Sequence, residues 1–382
     1  MENRIFNKLK IATIFGTRPE IIRLAALFKQ LDRYTDHVMI HTGQSYDYSL
    51  NKVFFDELGI RDPDYFLEVK SDTLGGQFGK LFERGEEALK KTNPDAVVIL
   101  GDTNSALLAI LARRMHIPVF HLEAGNRSFD ERVPEEINRR IVDHVSDVNI
   151  AYSENARAAL LREGLHPSAV FVSGSPIAEI YKNYKGNIEK SMILSELKLS
   201  PQGYFLVSVH REENVDSPES LANIFRILDK LGKSYNKPVL VTVHPRTSKR
   251  ILENSLRVGE NVILHEPFGY FDYVNLQKNA FCVISDSGTI VEEAAILKIP
   301  AVQLRNSSER PEGYDKGVLI LSGMDEDSVV SAVDAVVDQA TRGEEIAIPD
   351  DYRDENFSLK IVRHILGLTR ILKEKKKAGF MP

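Results

Sequence analysis

Short apolar runs alternate with amphipathic stretches along most of the chain. The first run, KIATIF, is followed by IIRLAALFKQLD, whose apolar residues recur at helical spacing. Such runs, bounded by glycine or polar residues, predict buried strands, and the amphipathic stretches predict helices. Strands that alternate with helices pair in parallel, so the pattern predicts an α/β fold. The predicted strands are 10–15, 38–41, 96–100, 117–122, 148–151, 170–172, 204–209, 238–243, 262–264, 281–285 and 301–304.

The strand pattern is interrupted in the polar segment from Lys182 to Pro201, where we place a linker. A chain of 382 residues exceeds what one hydrophobic core usually supports. We therefore expect two Rossmann-like domains, 1–184 and 185–357, that face each other across a cleft.

Three carboxylates lie where ligands usually bind in an α/β fold. Asp102 and Glu123 each come directly after a predicted strand, and Glu135 lies at the start of a predicted helix. Ligands of open α/β sheets collect beyond the carboxyl ends of the strands, where carboxylates suit proton transfer. Magnesium binding and helix capping are the alternatives. Glu123 has no helix to cap, so it is the strongest candidate.

Two strand–turn–helix segments suit anions. The segment from Gly16 to Glu20 combines a glycine turn and a helix start with Arg18 and Arg23. Amide groups at a helix start and arginine side chains both bind phosphate. An ordinary turn between a strand and a helix is the alternative reading of this segment.

The second such segment, DSGTIVEE, begins at Asp286. Ser287 and Gly288 would let a phosphate approach the helix start, and Glu293 lies one turn further on, within reach of a ribose. A capped helix with acids in its first turn is the alternative.

Two histidines and an aromatic loop complete the candidates in the second half. His210 and His244 each follow a predicted strand, where a histidine either assists a leaving group or serves a structural role. Tyr273 is predicted to lie in a loop, where its ring would stack on a base or pack in the core.

Composition narrows the class of function. A net charge of −6 argues against a general nucleic-acid or membrane-surface role. No apolar run approaches the roughly 20 residues that cross a bilayer. The single cysteine, Cys282, has no partner for an internal disulfide and is expected to be buried, which fits a cytoplasmic setting. We expect no metal and no cofactor.

Together the two halves suggest a nucleotide-sugar enzyme. The second half offers phosphate, ribose and base contacts, and the first offers acids and arginines. These residues alone do not separate glycosyl transfer from epimerisation or elimination.

Several motifs, in order along nearly the whole chain, resemble the non-hydrolysing UDP-N-acetylglucosamine 2-epimerase family. The resemblance implies a GT-B fold, a homodimer, and a C-terminal helix, 358–382, that packs back on the first domain. The motifs are GTRPEIIR at 16–23, HTGQ at 41–44, GDT at 101–103, HLEAGNR at 121–127, VPEEINRR at 133–140, HREE at 210–213, DSGTIVEEA at 286–294 and ERPEG at 309–313.

The family reaction inverts carbon 2 of a UDP-linked 2-acetamido sugar by anti elimination of UDP and its re-addition. The resemblance implies that Asp102, Glu123, Glu135 and His210 are catalytic. It also implies UDP or sugar contacts at Arg18, Arg23, Gln44, His244, Tyr273, Ser287, Gly288, Glu293 and Arg310. Arg23 departs from the family pattern, which has lysine there.

The combination of HTGQSYDYSLN, EAGNRSFDERVPEE, HREENVDSPE and ERPEGYDKG is more similar to a subgroup that acts on 6-deoxy sugars. That subgroup converts UDP-2-acetamido-2,6-dideoxy-L-talose to UDP-N-acetyl-L-fucosamine for capsule or O-antigen. The alternatives are the UDP-N-acetylglucosamine enzyme, a hydrolysing 2-epimerase, a GT-B glycosyltransferase and a non-catalytic nucleotide-sugar sensor.

Overall fold

The chain forms two compact units in a computed structural model that describes residues 8–43, 48–130, 132–243, 245–254, 256 and 258–378. The first unit comprises Met1–Arg127, Val133–Lys182 and Asp354–Pro382. The second comprises Ser128–Arg132 and Asn183–Arg353. The C-terminal segment therefore belongs with the N-terminal half of the chain.

Each unit contains one parallel sheet. The strands of the first unit are β1 (Lys10–Phe15), β2 (Asp36–His41), β3 (Tyr65–Phe66), β4 (Ala96–Leu100), β5 (Val119–Leu122), β6 (Val148–Ala151) and β7 (Val170–Val172). Those of the second are β8 (Phe205–Ser208), β9 (Val239–Thr242), β10 (Val262–His265), β11 (Cys282–Ser285), β12 (Ala301–Gln303) and β13 (Ile320–Leu321). The order in the first sheet is β3-β2-β1-β4-β5-β6-β7, and in the second β10-β9-β8-β11-β12-β13.

Helices connect the strands. They are α1 (Arg18–Tyr34), α2 (Tyr48–Leu58), α3 (Leu74–Thr92), α4 (Leu108–Arg114), α5 (Pro134–Val145), α6 (Glu154–Arg162), α7 (Ile177–Glu189), α8 (Ile193–Glu196), α9 (Glu212–Val215), α10 (Pro218–Tyr235), α11 (Pro245–Glu253), α12 (Tyr270–Asn279), α13 (Ile290–Leu297), α14 (Pro311–Asp315), α15 (Glu326–Thr341) and α16 (Phe357–Lys377). Among the described residues, no helix combines the length and apolar composition of a membrane span.

Both sheets reverse their winding direction at one place. In the first sheet β1 pairs with β2 on one side and with β4 on the other. In the second, β8 lies between β9 and β11 in the same way. A crevice forms beyond the strand ends at such a switch point, and it is the usual ligand site of this fold. The segments after β1, β4, β8 and β11 are therefore the first places to look for a site.

The α/β prediction is confirmed, and every predicted strand is present with small shifts of its ends. One local prediction is wrong, because Tyr273 lies in α12 rather than in a loop. The segment from Lys182, where we placed the linker, begins at the boundary between the two units and is largely helical, because α7 continues to Glu189 and buries Ile188. Helix α2 is an additional element that the pattern did not predict.

The C-terminal helix α16 packs on the first unit through an apolar face that buries Phe357, Ile361 and Ile365. Polar contacts hold both of its ends. The amide and hydroxyl of Ser358 donate to Glu179 at 2.7 and 2.6 Å, and Lys373 pairs with Asp95. This position agrees with the packing of the terminal helix that the resemblance implied.

Candidate active site

The turn between β1 and α1 is closed by Glu20. Thr17 is the N-cap of α1, and the two residues form a capping box. Glu20 Oε2 accepts hydrogen bonds from the amides of Gly16 (3.0 Å) and Thr17 (2.8 Å) and from the Thr17 hydroxyl (2.7 Å). The expectation that the amides of this turn bind phosphate is therefore wrong for Gly16 and Thr17, because the protein's own carboxylate accepts their hydrogen bonds.

Glu20 also connects the two strand ends at the switch point of the first sheet. The hydroxyl of Thr103, two residues beyond Gly101 at the end of β4, donates to Glu20 Oε1 at 3.2 Å. The Glu20 side chain is almost fully buried. Burial raises the pKa of Glu20 to about 7, although these hydrogen bonds act in the opposite direction.

The two arginines of α1 have different surroundings. The Arg18 guanidinium is half-buried and lies over the Phe54 ring, 6.0 Å from its centroid. Burial lowers the pKa of Arg18 from its usual value. Arg23 forms an ion pair with Glu123 Oε2, and the two side chains are 10% and 9% exposed. The structure thus brings together Arg23 and Glu123, which are far apart in sequence.

Glu123 occupies a strained position at the end of β5. Its backbone lies in the left-handed region, with φ at +63°. A residue with a side chain adopts this conformation only when its surroundings impose it, and such strain is frequent at functional sites. The Asn126 amide donates to Glu123 Oε1 at 3.5 Å.

Asp102 is held by helix α5. Arg139 donates to Asp102 Oδ2 through Nε (2.9 Å) and pairs with it through Nη2 (2.7 Å). The Asn138 amide donates to the Asp102 carbonyl at 2.9 Å. Glu135 is half-buried and lies one turn earlier on the same face of α5, because residues three and four apart are neighbours on a helix. The first unit therefore gathers Asp102 and Glu123 on adjacent strand ends and places Glu135 on the helix that contacts Asp102.

In the second unit Asp286 organises the switch point. This fully buried carboxylate accepts from the amides of His210 (3.1 Å) and Arg211 (3.0 Å) and from the side chain of Asn214 (2.9 Å). His210 Nδ1 lies 3.3 Å from Asp286 Oδ1, while half of the His210 side chain is exposed. Asp286 thus fixes the orientation of the histidine ring.

The segment after β11 presents hydroxyl groups. The Ser287 and Thr289 hydroxyls are 2.9 Å apart. The Glu309 carboxylate lies so close to Gly288 that a Cβ atom there would overlap it, so a larger residue would displace this carboxylate. Glu293 Oε2 accepts from Gln277 at 2.6 Å. Burial and the neighbouring Glu293 raise the pKa of Tyr273, which packs partly in the core.

Arg310 is another of the predicted contacts. It is 1% exposed and pairs with Glu292 at 3.1 Å. The structure thus gives the Arg310 guanidinium an internal partner. Gln44 and His244 lie outside the described residues. Within the described ranges there is no group of three or more His, Cys, Asp or Glu placed to hold a metal ion.

Several site residues were missed by the sequence reasoning. Asp286 directly follows a strand, which is the signal that identified Asp102 and Glu123. Arg139 lies four residues after Glu135, so it shares a helix face with a candidate acid. His121 Nδ1 lies 2.9 Å from Asp143 Oδ1. Neither residue gave a comparable signal, because their pairing depends on the packing of α5 against the sheet.

The fold and the site define a class. The first Rossmann-like unit has acids and arginines at its switch point, which suit acid–base chemistry. The second has a histidine and hydroxyl groups at its own switch point, which suit a phosphate. A glycosyltransferase from Rickettsia africae with a TM-score of 0.52 and 14% identity has the same fold, and covers 96% of this chain and 99% of its own. The fold is therefore GT-B-like.

The chain belongs to the UDP-N-acetylglucosamine 2-epimerase family, whose model matches residues 29–366. It is thus an isomerase that acts on carbohydrate derivatives. A UDP-N-acetylglucosamine 2-epimerase from Rickettsia bellii is 44% identical with a TM-score of 0.88, over 96% of this chain and 98% of that one. The Methanocaldococcus jannaschii enzyme, solved in complex with UDP-GlcNAc and UDP, is 37% identical with a TM-score of 0.88, over 94% and 100%.

A more specialised relative is also similar. The UDP-2,3-diacetamido-2,3-dideoxy-D-glucuronate 2-epimerase of Pseudomonas aeruginosa is 32% identical over 333 residues, which cover 85% of this chain and 91% of that protein. Relatives that are named for different sugars therefore match most of this chain.

Proposed function

We propose that the protein inverts carbon 2 of a UDP-2-acetamido sugar without net hydrolysis. The observation that carries this proposal is the pair of arginine-bound carboxylates, Asp102 with Arg139 and Glu123 with Arg23, on adjacent strand ends. A reaction that removes a proton from one face of a carbon and returns it to the other needs two acid–base groups.

The reaction proceeds by elimination and re-addition. A carboxylate takes the C2 proton while the C1–O bond breaks and its electron pair leaves with UDP, which gives a 2-acetamidoglucal. The UDP oxygen then re-forms the bond to C1, and a second carboxylate returns a proton to the opposite face of C2. We assign these proton transfers to Glu123, Asp102 and Glu135, and leave open which of them acts in which direction.

The second unit supplies the nucleotide contacts in this proposal. Asp286 holds Nδ1 of His210, so the other ring nitrogen is directed away from it and suits the diphosphate leaving group. Ser287 and Gly288 would bind phosphate, Glu293 the ribose, and Tyr273 the base, with Arg18 and Arg23 as further anion contacts. Gln44, His244 and Arg310 complete the proposed set.

Two sugars compete as the substrate. The motif combination around EAGNRSFDERVPEE favours UDP-2-acetamido-2,6-dideoxy-L-talose, with UDP-N-acetyl-L-fucosamine as the product. The similarity to enzymes named for UDP-N-acetylglucosamine favours UDP-N-acetylglucosamine and its C2 epimer. In either case we place the protein in the cytoplasm, as a homodimer that supplies precursors of capsule or O-antigen.

An NMR assay of the purified protein with a panel of UDP-2-acetamido sugars tests the proposal. We expect one C2 epimer pair to interconvert, with UDP retained on the sugar. Release of free sugar and UDP would identify a hydrolysing epimerase, and consumption that requires an acceptor would identify a glycosyltransferase. Binding of UDP-sugars without turnover would identify a sensor. Each of the last three results would contradict the proposed function.

A further inference from the structure

A buried histidine–aspartate pair lies behind the two strand ends that carry Asp102 and Glu123. His121, in β5, is fully buried. Its Nδ1 lies 2.9 Å from Oδ1 of Asp143 in α5, and Asp143 is also fully buried. Its Nε2 lies 2.8 Å from the carbonyl oxygen of Gly101. Nε2 thus contacts a carbonyl oxygen and Nδ1 lies within ion-pair distance of a carboxylate, and both contacts favour the charged imidazolium.

Asp143 reaches the other side of the same turn. Its carboxylate accepts from the amide of Gly125 at 3.2 Å and pairs with Nη1 of Arg127 at 2.7 Å. Gly125 has φ at +85°, and a Cβ atom there would overlap the carbonyl oxygen of Ala156. The conformation after Glu123 therefore depends on glycine and on the hydrogen bond to Asp143.

These contacts are made by residues next to Asp102 and Glu123 in the sequence. Gly101 directly precedes Asp102, and Gly125 comes two residues after Glu123. The left-handed backbone of Glu123 is unfavourable unless neighbouring contacts impose it. The His121–Asp143 pair supplies one contact just before Asp102, at Gly101, and one just after Glu123, at Gly125.

We propose that His121 and Asp143 are positioning residues, which fix the backbone of Asp102 and Glu123 without touching the substrate. This inference rests on the proposed function for its kinetic consequence, but its structural consequence is independent of the substrate. His121 donates to the Gly101 carbonyl, and Asp143 accepts from the Gly125 amide. The ion pair between the two side chains connects these two backbone contacts.

The charges around the ring agree with this role. Burial opposes protonation of His121, yet its pKa is raised, because Asp143, the Gly101 carbonyl and Asp102 all favour the charged ring. Arg127 faces the second oxygen of Asp143 and also pairs with Glu163 at 2.6 Å. The neighbouring charges thus favour the imidazolium form of a ring that is fully buried.

The chain offers a matched control in the same sheet. His37, in β2, is also buried, with Nδ1 2.7 Å from Asp32 and Nε2 3.0 Å from the hydroxyl of Thr13. Like His121, it has a carboxylate next to Nδ1 and a residue from or just after a neighbouring strand next to Nε2. His37 lies near the start of its strand, whereas the candidate carboxylates follow strand ends.

The test compares His121→Gln with His37→Gln in kcat, UDP affinity, melting temperature and crystal structure. The glutamine amide in His121→Gln would keep a donor toward Gly101 and lose the charge. We expect kcat to fall about 100-fold with UDP affinity unchanged, and the Glu123 backbone to leave the left-handed region. His37→Gln should lower the melting temperature and leave kcat unchanged. If His121→Gln fails to fold, His121→Asn is measured in its place.

The outcomes separate the two proposals. Equal kcat in the two variants, with Glu123 still left-handed in His121→Gln, would overturn the positioning role while wild-type turnover upholds the proposed function. If wild-type protein turns over no UDP-2-acetamido sugar, the proposed function fails, and the Glu123 backbone in the variant crystals alone decides the positioning role.

Discussion

Glu20 joins the turns after β1 and β4, and its burial has a consequence for stability. Its ordinary pKa of 4.5 is raised to about 7 in the folded protein. The folded state therefore keeps a proton that the unfolded chain releases between these two values. The free energy of unfolding should fall as the pH rises through this window, by roughly 3 kcal/mol in total.

The variant Glu20→Gln tests this effect. Glutamine resembles the protonated acid, because its oxygen accepts from Gly16 and Thr17 and its amide donates to the Thr103 hydroxyl. We expect urea unfolding to show equal stability of variant and wild type near about pH 4, and a more stable variant by up to roughly 3 kcal/mol near about pH 8. A stability difference that does not change with pH would show that Glu20 is ionised throughout.

The variant Glu123→Gln tests the acid–base role that we propose for Glu123. Loss of the acid–base group should lower kcat by roughly 10²- to 10⁴-fold, since this is the range such groups contribute. UDP affinity, measured by calorimetry, should change little, because the proposed UDP contacts lie mainly in the second unit. Asp32→Asn is the control, as Asp32 is another arginine-paired carboxylate of the first unit. Near-normal turnover by Glu123→Gln would remove Glu123 from catalysis.

At this scale the sequence predicts positions but not partners. Asp102 and Glu123 could be identified because each directly follows an apolar strand. Their partners Arg139 and Arg23 could not, since Arg23 precedes Glu123 by 100 residues and only the packing of α1 against the sheet brings them together. The left-handed backbone conformation of Glu123 cannot be predicted from the pattern of apolar residues.

Among the elements, α16 gives the sharpest stability test. Ile365 lies on the packed face of this helix and is fully buried, whereas the next residue, Leu366, is 39% exposed. Ile365→Ala should lower the free energy of unfolding by about 2–5 kcal/mol, because it leaves a cavity. Leu366→Ala should change it by less than about 0.5 kcal/mol. Urea unfolding followed by circular dichroism measures both, and equal effects would contradict the packing of α16 on the first unit.

Elements with a clean period were predictable, and those buried on several sides were not. The strands and α1 follow the apolar pattern closely. In α12 the buried residues include Val274, Asn275, Leu276 and Gln277 in succession, so no helical period is visible. This is why Tyr273 was expected in a loop.

For the whole molecule, the two switch points repeat one design. In each unit, a buried carboxylate in the segment that follows one central strand accepts a hydrogen bond from the segment that follows the other. Glu20 accepts from Thr103, and Asp286 accepts from the His210 amide. The alternation of strands and helices predicts parallel sheets. It does not give the strand order, because a strand's apolar pattern carries no information on which neighbour it pairs with.

A sugar pocket is lined by side chains from many segments, and relatives that are named for different sugars match most of this chain. Reaction and substrate therefore need separate measurements, and the reaction is the central claim.

Turnover in deuterated water tests that claim most directly. The protein is incubated with the UDP-2-acetamido sugar it converts, and the position of deuterium is read by NMR. Elimination and re-addition of UDP predict deuterium at C2 of the epimerised product, with the sugar still linked to UDP. Conversion of the sugar with no deuterium at C2 would contradict proton transfer by Asp102, Glu123 and Glu135.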